Sequence, residues 1–186
     1  MNKKKLTILI DMDDTIENLL ECWVNELNKA YGTDVKYDEV FVWDMTKVFP
    51  SLTKTEIYAP LHNPNFWSKV QPLPGSVEYI KRLIDDGHNI YIVTTSHYTD
   101  IKSKIENVLE KHFPFISWKN VIITSNKQLV NGDILIDDGV HNLEGGKYIK
   151  ILMDAPHNRS YDAEKNGMLR VYNWEEIYNV VKSQFC

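Results

Sequence analysis

An α/β fold, a parallel sheet flanked by helices with a small, mostly helical insert after its first strand, is what this sequence predicts, on three observations. Short apolar, β-branched runs recur at residues 6–10, 89–93, 121–123 and 134–136, too brief for helices and rich in strand-forming side chains. From Ser76 onward these runs alternate with amphipathic stretches of helical period, the pattern of strands covered by helices. Two of the runs end abruptly in acids, at Asp11-Met12-Asp13-Asp14 and at Asp137-Asp138, and ligands of parallel sheets sit beyond the carboxyl ends of strands.

The first run, Leu6-Thr7-Ile8-Leu9-Ile10, stops at Asp11. If extended geometry persists for two more residues, Asp11 and Asp13 point to the same side, because side-chain direction alternates along a strand. Like charges about 4 Å apart repel by roughly 4 kcal/mol at an effective dielectric near 20, so the pair calls for a cation, a proton or a nearby lysine. A divalent metal is the simplest single answer. Asp13, Asp14 and Thr15 equally suit a helix N-cap and first turn, and this stretch alone leaves both assignments open.

Residues 16–31 carry Ile16, Leu19, Leu20, Trp23, Val24, Leu27 and Ala30 at helical spacing, with Glu17, Glu21, Glu26 and Lys29 elsewhere, and Gly32 ends the helix. From 33 to 74 the pattern breaks into aromatics scattered among prolines, which reads as the small helical insert; Pro72-Leu73-Pro74-Gly75 is the turn that brings the chain back. Ser76 is placed to cap a helix through Val77, Ile80, Leu83 and Ile84, stopped by Gly87. The strand at 89–93 ends in Thr94-Thr95-Ser96, either an anion contact or a cap for the helix through Ile101, Ile105, Val108 and Leu109. A third strand at 118–124 leads to Lys127, a position where a lone lysine is ordinarily a solvated charge. The fourth, at 133–137, repeats the acid ending. Two such clusters on one sheet edge repel strongly without a cation. Strands at 147–153 and 168–172, a polar loop between them and a closing helix at 174–185 with Ile177, Val180 and Val181 inward complete the chain.

With 186 residues, 43% hydrophobic and 25% charged, the chain can bury a real core and fits one domain with an inserted subdomain. A net charge of -5 argues against a binder of nucleic-acid polymers, which shows a basic face. Cys22 and Cys186 are too few and too scattered for a disulfide framework or a zinc site, and point to a reducing, cytoplasmic setting. Residues 1–5 are basic, but the apolar run behind them is too short for a signal-peptide core, and no window approaches the roughly eighteen apolar residues of a membrane span.

Taken in order, the strand ends offer Asp-x-Asp-x-Thr at 11–15, Thr-Thr-Ser at 94–96, Lys127, and Asp137-Asp138. This ordered set resembles the four motifs of the haloacid dehalogenase superfamily of phosphatases, which lie at strand ends of a Rossmann-like sheet. By that resemblance Asp11 is the nucleophile that becomes an aspartyl phosphate, and Asp13 the acid that protonates the leaving alkoxide and then the base that activates water. Thr95, with Thr94 or Ser96 as register alternatives, would bond the phosphoryl oxygens, and Lys127 would neutralise the nucleophile. Asp11, the main-chain carbonyl of Asp13 and one or both of Asp137 and Asp138 would hold Mg²⁺, with Asp138 favoured as the direct ligand. The superfamily commonly has glycine where Asp14 stands, so the tight turn after Asp13 falls to a residue less tolerant of unusual dihedrals. The resemblance also divides the chain into a core, residues 1–16 and 75–186, and a cap, residues 17–74, that closes over the site.

Within the superfamily, Ile10-Asp11-Met12-Asp13-Asp14-Thr15, the stretch from Asn65-Phe66-Trp67 to Pro72-Leu73-Pro74-Gly75, and Leu135-Ile136-Asp137-Asp138 resemble the 5′(3′)-deoxyribonucleotidase branch. Those enzymes remove phosphate from nucleoside monophosphates and hold the base against aromatic rings of the cap. Phe41, Trp43, Phe66 and Trp67 are the candidates here, each equally suited to be the core of a small cap. A sister phosphatase acting on a sugar phosphate or other small metabolite shares every core residue and differs only in the cap. A receiver-like phospho-signalling domain also uses strand-end acids, a hydroxyl and a lysine around Mg²⁺, but the long insert and the late acid pair fit it poorly. His97 and His141 lie near motif strands without an assigned role. Base, sugar, ester position and oligomeric state, a homodimer included, stay open.

Overall fold

A computed structural model describes residues 5–185, so Cys186 and most of the basic amino terminus lie outside the described residues. Six strands, β1 Thr7–Ile10, β2 Asn89–Thr94, β3 Val121–Ile123, β4 Ile134–Asp137, β5 Ile149–Met153 and β6 Leu169–Val171, form one parallel sheet in the order β3-β2-β1-β4-β5-β6. The central strands read as nearly continuous apolar runs because both faces of the sheet are covered. Ile8 and Ile10 point to one face, among Val24, Leu27, Phe66 and Trp174; Leu9 points to the other, with Val93, Leu135 and Leu152. From β1 the chain winds outward through β2 and β3, then returns to β4 on the other side of β1. The strand order therefore reverses between β1 and β4, and a crevice opens beyond their carboxyl ends.

The first helix, α1 Leu19–Tyr31, buries Leu19, Leu20, Trp23, Val24 and Leu27 and ends at Gly32 in the left-handed conformation. It starts later than the periodicity predicts. The Met12 carbonyl accepts from the amides of Thr15 and Ile16, at 3.2 and 2.9 Å, and turns the chain first. Glu17, expected on the polar side, is fully buried in that turn.

The insert is mostly helical, as expected: a tight turn at Tyr37–Glu39, α2 Met45–Val48, α3 Lys54–Tyr58, a second tight turn at Ala59–His62, and α4 Pro64–Trp67. Its helices are short because caps and prolines punctuate them: Asp44, Thr53 and Asn63 each accept an amide of the following turn. Entry and exit are stitched together, with Leu73 N donating to Ile16 O at 2.9 Å and Asn18 N to Gln71 O at 3.0 Å.

The next helix, α5 Ser76–Asp85, corrects one expectation. Gly75, at φ +81°, occupies the cap position, and Ser76 is buried with its hydroxyl donating back to Leu73 O at 2.8 Å, closing the turn instead of serving a helix amide. Then follow α6 Ile101–Lys104, which continues through wider turns at Ile105–Glu110, α7 Val140–Leu143, and α8 Trp174–Val180. Among the described residues no helix is long and apolar enough to cross a membrane.

Just before β4, a Cβ on Gly132 would lie 2.7 Å from Leu9 Cγ in the packed second face of the sheet. Gly132→Ala is expected to lower the unfolding free energy by about 1–3 kcal/mol through overpacking, read as a fall in thermal midpoint. An unchanged midpoint would mean that Leu9 moves aside without cost.

Candidate active site

The crevice between β1 and β4 is lined with acid. Asp11 N donates to Ile136 O at 2.9 Å, which carries the β1–β4 pairing one residue past the strand and sets Asp11 beside Asp137. Lys127 opens a tight turn, Lys127–Leu129, soon after β3 and is 1% exposed. Its Nζ bonds Asp11 Oδ1 and lies 2.6 Å from Asp137 Oδ2. The other oxygen of Asp137 accepts from Gly139 N at 2.8 Å and from Asn142 Nδ2 at 3.0 Å. A Cβ at residue 139 would stand 2.8 Å from that Asn142 nitrogen, so the close approach requires glycine.

Asp138 is different. It is 1% exposed, and neither oxygen has a hydrogen bond; His157 Nε2 is 3.0 Å from Oδ2 but not aligned to donate. Asp11, Asp137 and Asp138 each present an oxygen within 4.8 Å of the others. Three hard carboxylate oxygens, one group of them with unsatisfied lone pairs, fit Mg²⁺ better than a soft transition ion.

Burial raises the carboxyl groups of Asp11 and Asp137 toward their neutral forms. For Asp11, loss of solvent is the largest cause; Lys127 opposes it, while Asp137, Asp13 and Asp138 add to it. Asp137 follows the same balance. Lys127 is pulled down by its own burial, but Asp11 and Asp137 outweigh this and keep it firmly protonated.

A second buried lysine, missed in the sequence, serves Asp13. Lys104 of α6 is 1% exposed, and its Nζ lies 2.6 and 2.7 Å from the two Asp13 oxygens and 2.8 Å from Thr94 Oγ1. The signal was present: Lys104 falls on the apolar stripe of Ile101, Ile105 and Val108, where a solvated lysine has no place. Glu17 lies beside Asp13, raised strongly by burial first and then by the Asp13 charge. The expected same-side crowding of Asp11 and Asp13 is thus resolved by one lysine for each.

Asp14 makes the tight turn at φ +51°. Asp is among the residues that tolerate this region, and its carboxylate accepts from Leu20 N at 3.0 and 3.2 Å, supplying an α1 amide with the acceptor that Asn18 does not give.

A cavity of about 200 Å³ lies at this edge, lined by the polar Asp13, Asp14, Thr95 and His157 and by Leu20, Trp23, Trp43, Met45 and Tyr58 among others. Of the three hydroxyls at the end of β2, Thr95 faces the cavity, with Oγ1 donating to Thr124 O at 2.9 Å. Thr94 is fully buried behind it on Lys104, and Ser96 lies outside the lining, its hydroxyl 3.4 Å from His97 O. Among the four candidate rings, Trp43 lines the cavity, edge-on to His157 at 4.9 Å and tilted against His141 at 5.4 Å. Phe41 is 67% exposed over a separate groove. Phe66 and Trp67 are buried in the insert, with Trp67 Nε1 donating to Leu61 O and its ring 5.5 Å from Lys104 Nζ.

Residues 4–185 match the model of the family described as 5′ nucleotidase, deoxy (pyrimidine), cytosolic type C protein. A protein of Bacillus subtilis named 5′(3′)-deoxyribonucleotidase is 38% identical over 175 residues, covering 93% of this chain and 96% of the relative. One of the same name from Clostridium acetobutylicum is 36% identical over 183 residues, covering 98% and 97%. Among solved structures, a haloacid dehalogenase-like hydrolase of Streptococcus pneumoniae superposes with a TM-score of 0.66 at 15% identity over 94% of this chain and 97% of its own. A haloacid-dehalogenase-type hydrolase of Bacillus subtilis bound to magnesium gives 0.62 at 14% over 96% and 99%. The fold is thus haloacid-dehalogenase-like, and the chain belongs to the 5′ nucleotidase, deoxy (pyrimidine), cytosolic type C protein family.

Proposed function

We propose that this protein is a Mg²⁺-dependent phosphomonoesterase of (deoxy)nucleoside monophosphates, working through an aspartyl phosphate on Asp11. The observation that carries the reading is the buried Asp11–Lys127–Asp137–Asp138 cluster at the β1/β4 crevice, next in the chain to Asp13 and Asp14, which line a cavity whose other walls include Leu20, Trp23, Trp43 and Tyr58. The relatives named 5′(3′)-deoxyribonucleotidase support the nucleotide and favour the deoxy sugar. Apolar walls suit a base and a deoxyribose better than a polyhydroxylated sugar phosphate.

Asp11 attacks phosphorus, and the new carboxyl–phosphorus bond replaces the ester bond to the nucleoside, whose oxygen takes a proton from Asp13. In the second half Asp13 removes a proton from water, which attacks phosphorus and releases Asp11. A carboxylate nucleophile divides one hard displacement into two easier ones. Lys127 remains protonated throughout and offsets the charge on Asp11. Thr95, whose hydroxyl donates to Thr124 O in the free protein, would turn that hydrogen to the phosphoryl oxygens when substrate enters, with Thr94 behind it positioning Lys104. Asp11, the Asp13 carbonyl and Asp138 would hold Mg²⁺, while Asp137, already satisfied by Lys127, Gly139 and Asn142, stands behind them. The ion, when bound, supplies charge stabilisation for the phosphoryl oxygens.

Residues 17–74 act as a cap over the remainder of the chain, on a neck formed where Ile16 and Asn18 pair with Leu73 and Gln71. Trp43 is the ring against which the base stacks, worth roughly 1–3 kcal/mol. The reading implies a small-molecule substrate and no polymer or membrane partner. A reducing cytoplasm suits the free thiol of Cys22.

The test is phosphate release from ribo- and deoxyribonucleoside monophosphates and sugar phosphates, with Mg²⁺ and with EDTA. A Mg²⁺-dependent preference for deoxyribonucleotides is expected, and Asp11→Asn should lose more than about a thousandfold in kcat while keeping its fold. Appreciable turnover in that variant would remove Asp11 from the nucleophile's role. Lys104→Met, which keeps the buried stem and removes the charge, should lower kcat about tenfold to a hundredfold with a smaller change in KM; equal kcat would detach Lys104 from the duty of Asp13.

The metal-free protein should also lose stability as pH rises. Asp11, Asp14, Glu17 and Asp137 are raised in the folded state above their unfolded values near 4. Their contribution is complete below those unfolded values and disappears as pH climbs through the folded ones, each tenfold difference in acidity between the two states being worth about 1.4 kcal/mol. Mg²⁺ binds the deprotonated acids, so the gap between thermal midpoints with Mg²⁺ and with EDTA should widen with pH. A gap independent of pH would contradict the assignment.

A further inference from the structure

Away from the carboxylate cluster, the insert and the sheet meet at a second polar group of side chains. His62, at the end of the turn Ala59–His62, reaches Asp100 at the head of α6, with Nδ1 2.8 Å from Oδ2. Thr99 Oγ1 donates to the other Asp100 oxygen at 2.7 Å and stands 2.7 Å from His97 Nδ1. A hydroxyl carries one hydrogen. Thr99 commits it to Asp100, so the His97 Nδ1–H donates to Thr99 Oγ1; this 2.7 Å contact outweighs the 3.4 Å approach of the Thr99 amide to the same nitrogen, which the other tautomer would accept. Asp100 when ionised only accepts, so His62 likewise carries its hydrogen on Nδ1. In the neutral state both rings therefore present a lone pair on Nε2.

This is how metal-ligating histidines are oriented: the remote nitrogen donates to a carboxylate or other oxygen, and the second nitrogen is left for the ion. Both residues are exposed, and their rings stand edge to face with centres 6.2 Å apart. At a metal–nitrogen distance of about 2.0–2.1 Å, two imidazoles on one ion have centres within about 6.5 Å, and a tetrahedral angle would draw this pair roughly 1 Å closer. Imidazole nitrogen suits Zn²⁺, Ni²⁺ or Cu²⁺, whereas Mg²⁺ prefers oxygen. The pair is thus chemically distinct from Asp11, Asp137 and Asp138.

We propose that His62 and His97 form a two-imidazole site for a divalent transition ion, with Asp100 and Thr99 orienting the rings, and that the ion ties the insert to the loop after β2. The site flanks the cavity: Leu61, next to His62, and Thr95, just before His97 in the chain, both line it. An ion that draws the two rings together holds the insert against the sheet at the cavity mouth and slows exchange of substrate and product. The binding half stands independently of the phosphatase reading; the effect on turnover rests on it.

The experiment titrates the full chain, with Mg²⁺ in large excess, with Zn²⁺ against a chromophoric zinc chelator, and follows nucleotide turnover in parallel. One Zn²⁺ per chain is expected, bound at least tenfold more weakly by His62→Ala and by His97→Ala, with Mg²⁺-supported turnover retained in both. Wild-type turnover should fall as the site fills, and the variants should need at least tenfold more Zn²⁺ for the same loss. Imidazole ¹⁵N shifts of the wild type, moving at Nε2 of both rings on Zn²⁺ addition, decide the site without relying on any variant's folding. Zn²⁺ affinity unchanged in both variants would overturn the site. Binding that depends on both histidines while turnover ignores Zn²⁺ would overturn the tie and leave the phosphatase reading untouched.

Discussion

The buried ammonium of Lys127, shared between Asp11 and Asp137, is the interaction on which the rest of the structure depends. The sheet brings Asp11, Asp137 and Asp138 together at the one place where its strand order reverses. Coulomb repulsion there would splay β1 from β4. A buried ion pair gains little over an apolar substitute, yet removing one partner leaves a charge stranded at a cost of about 3–5 kcal/mol. Lys127 is therefore a condition for closing the crevice around acid, and the β1–β4 pairing that continues through Asp11 N and Ile136 O depends on it.

A second lysine divides the acids by role. Lys127 joins Asp11, the carboxylate that would attack, to Asp137, whereas Lys104 holds Asp13 and bonds Thr94. Two acids of one short motif thereby acquire different surroundings, which is how carboxyl groups are set to different chemical tasks. Lys104 also lies under the Trp67 ring, and Asp100, at the start of the same helix, takes His62. Both contacts come from the insert. The short helix α6 is thus where the insert touches the residue that holds the acid, so a displacement of residues 59–67 acts on Lys104 directly and needs no longer route.

The strands and the acid edge are legible in the sequence because their signals are local: apolar runs of strand length, each ended by a type of residue that a buried sheet excludes. What is not legible depends on packing between distant segments. Lys127 looks like an ordinary surface lysine until two acids from other strands surround it, and Glu17 looks like the polar face of a helix that in fact begins two residues later. Phe41, Trp43, Phe66 and Trp67 are equivalent by composition. Only the fold of the insert turns Trp43 to the cavity and buries Phe66 and Trp67 beneath it. Lys104 is the intermediate case, since its place on an apolar stripe marks it as buried without saying what it meets.

Asp14 and Asp138 show what the site costs the fold. Glycine at 14 would relieve the left-handed backbone but would leave Leu20 N without its acceptor, so the carboxylate serves as turn and cap together. Asp138 has no such compensation. A buried polar group without a hydrogen bond costs about 1–3 kcal/mol, and more when it is charged, and both Asp138 oxygens are in that state. A neutral amide or an apolar side chain at 138 would suit the fold better. Only a proton or a cation would repay a carboxylate there, and because Asp11 and Asp137 converge on the same few ångströms, a divalent cation would answer Asp138 and at the same time offset the charge of its neighbours.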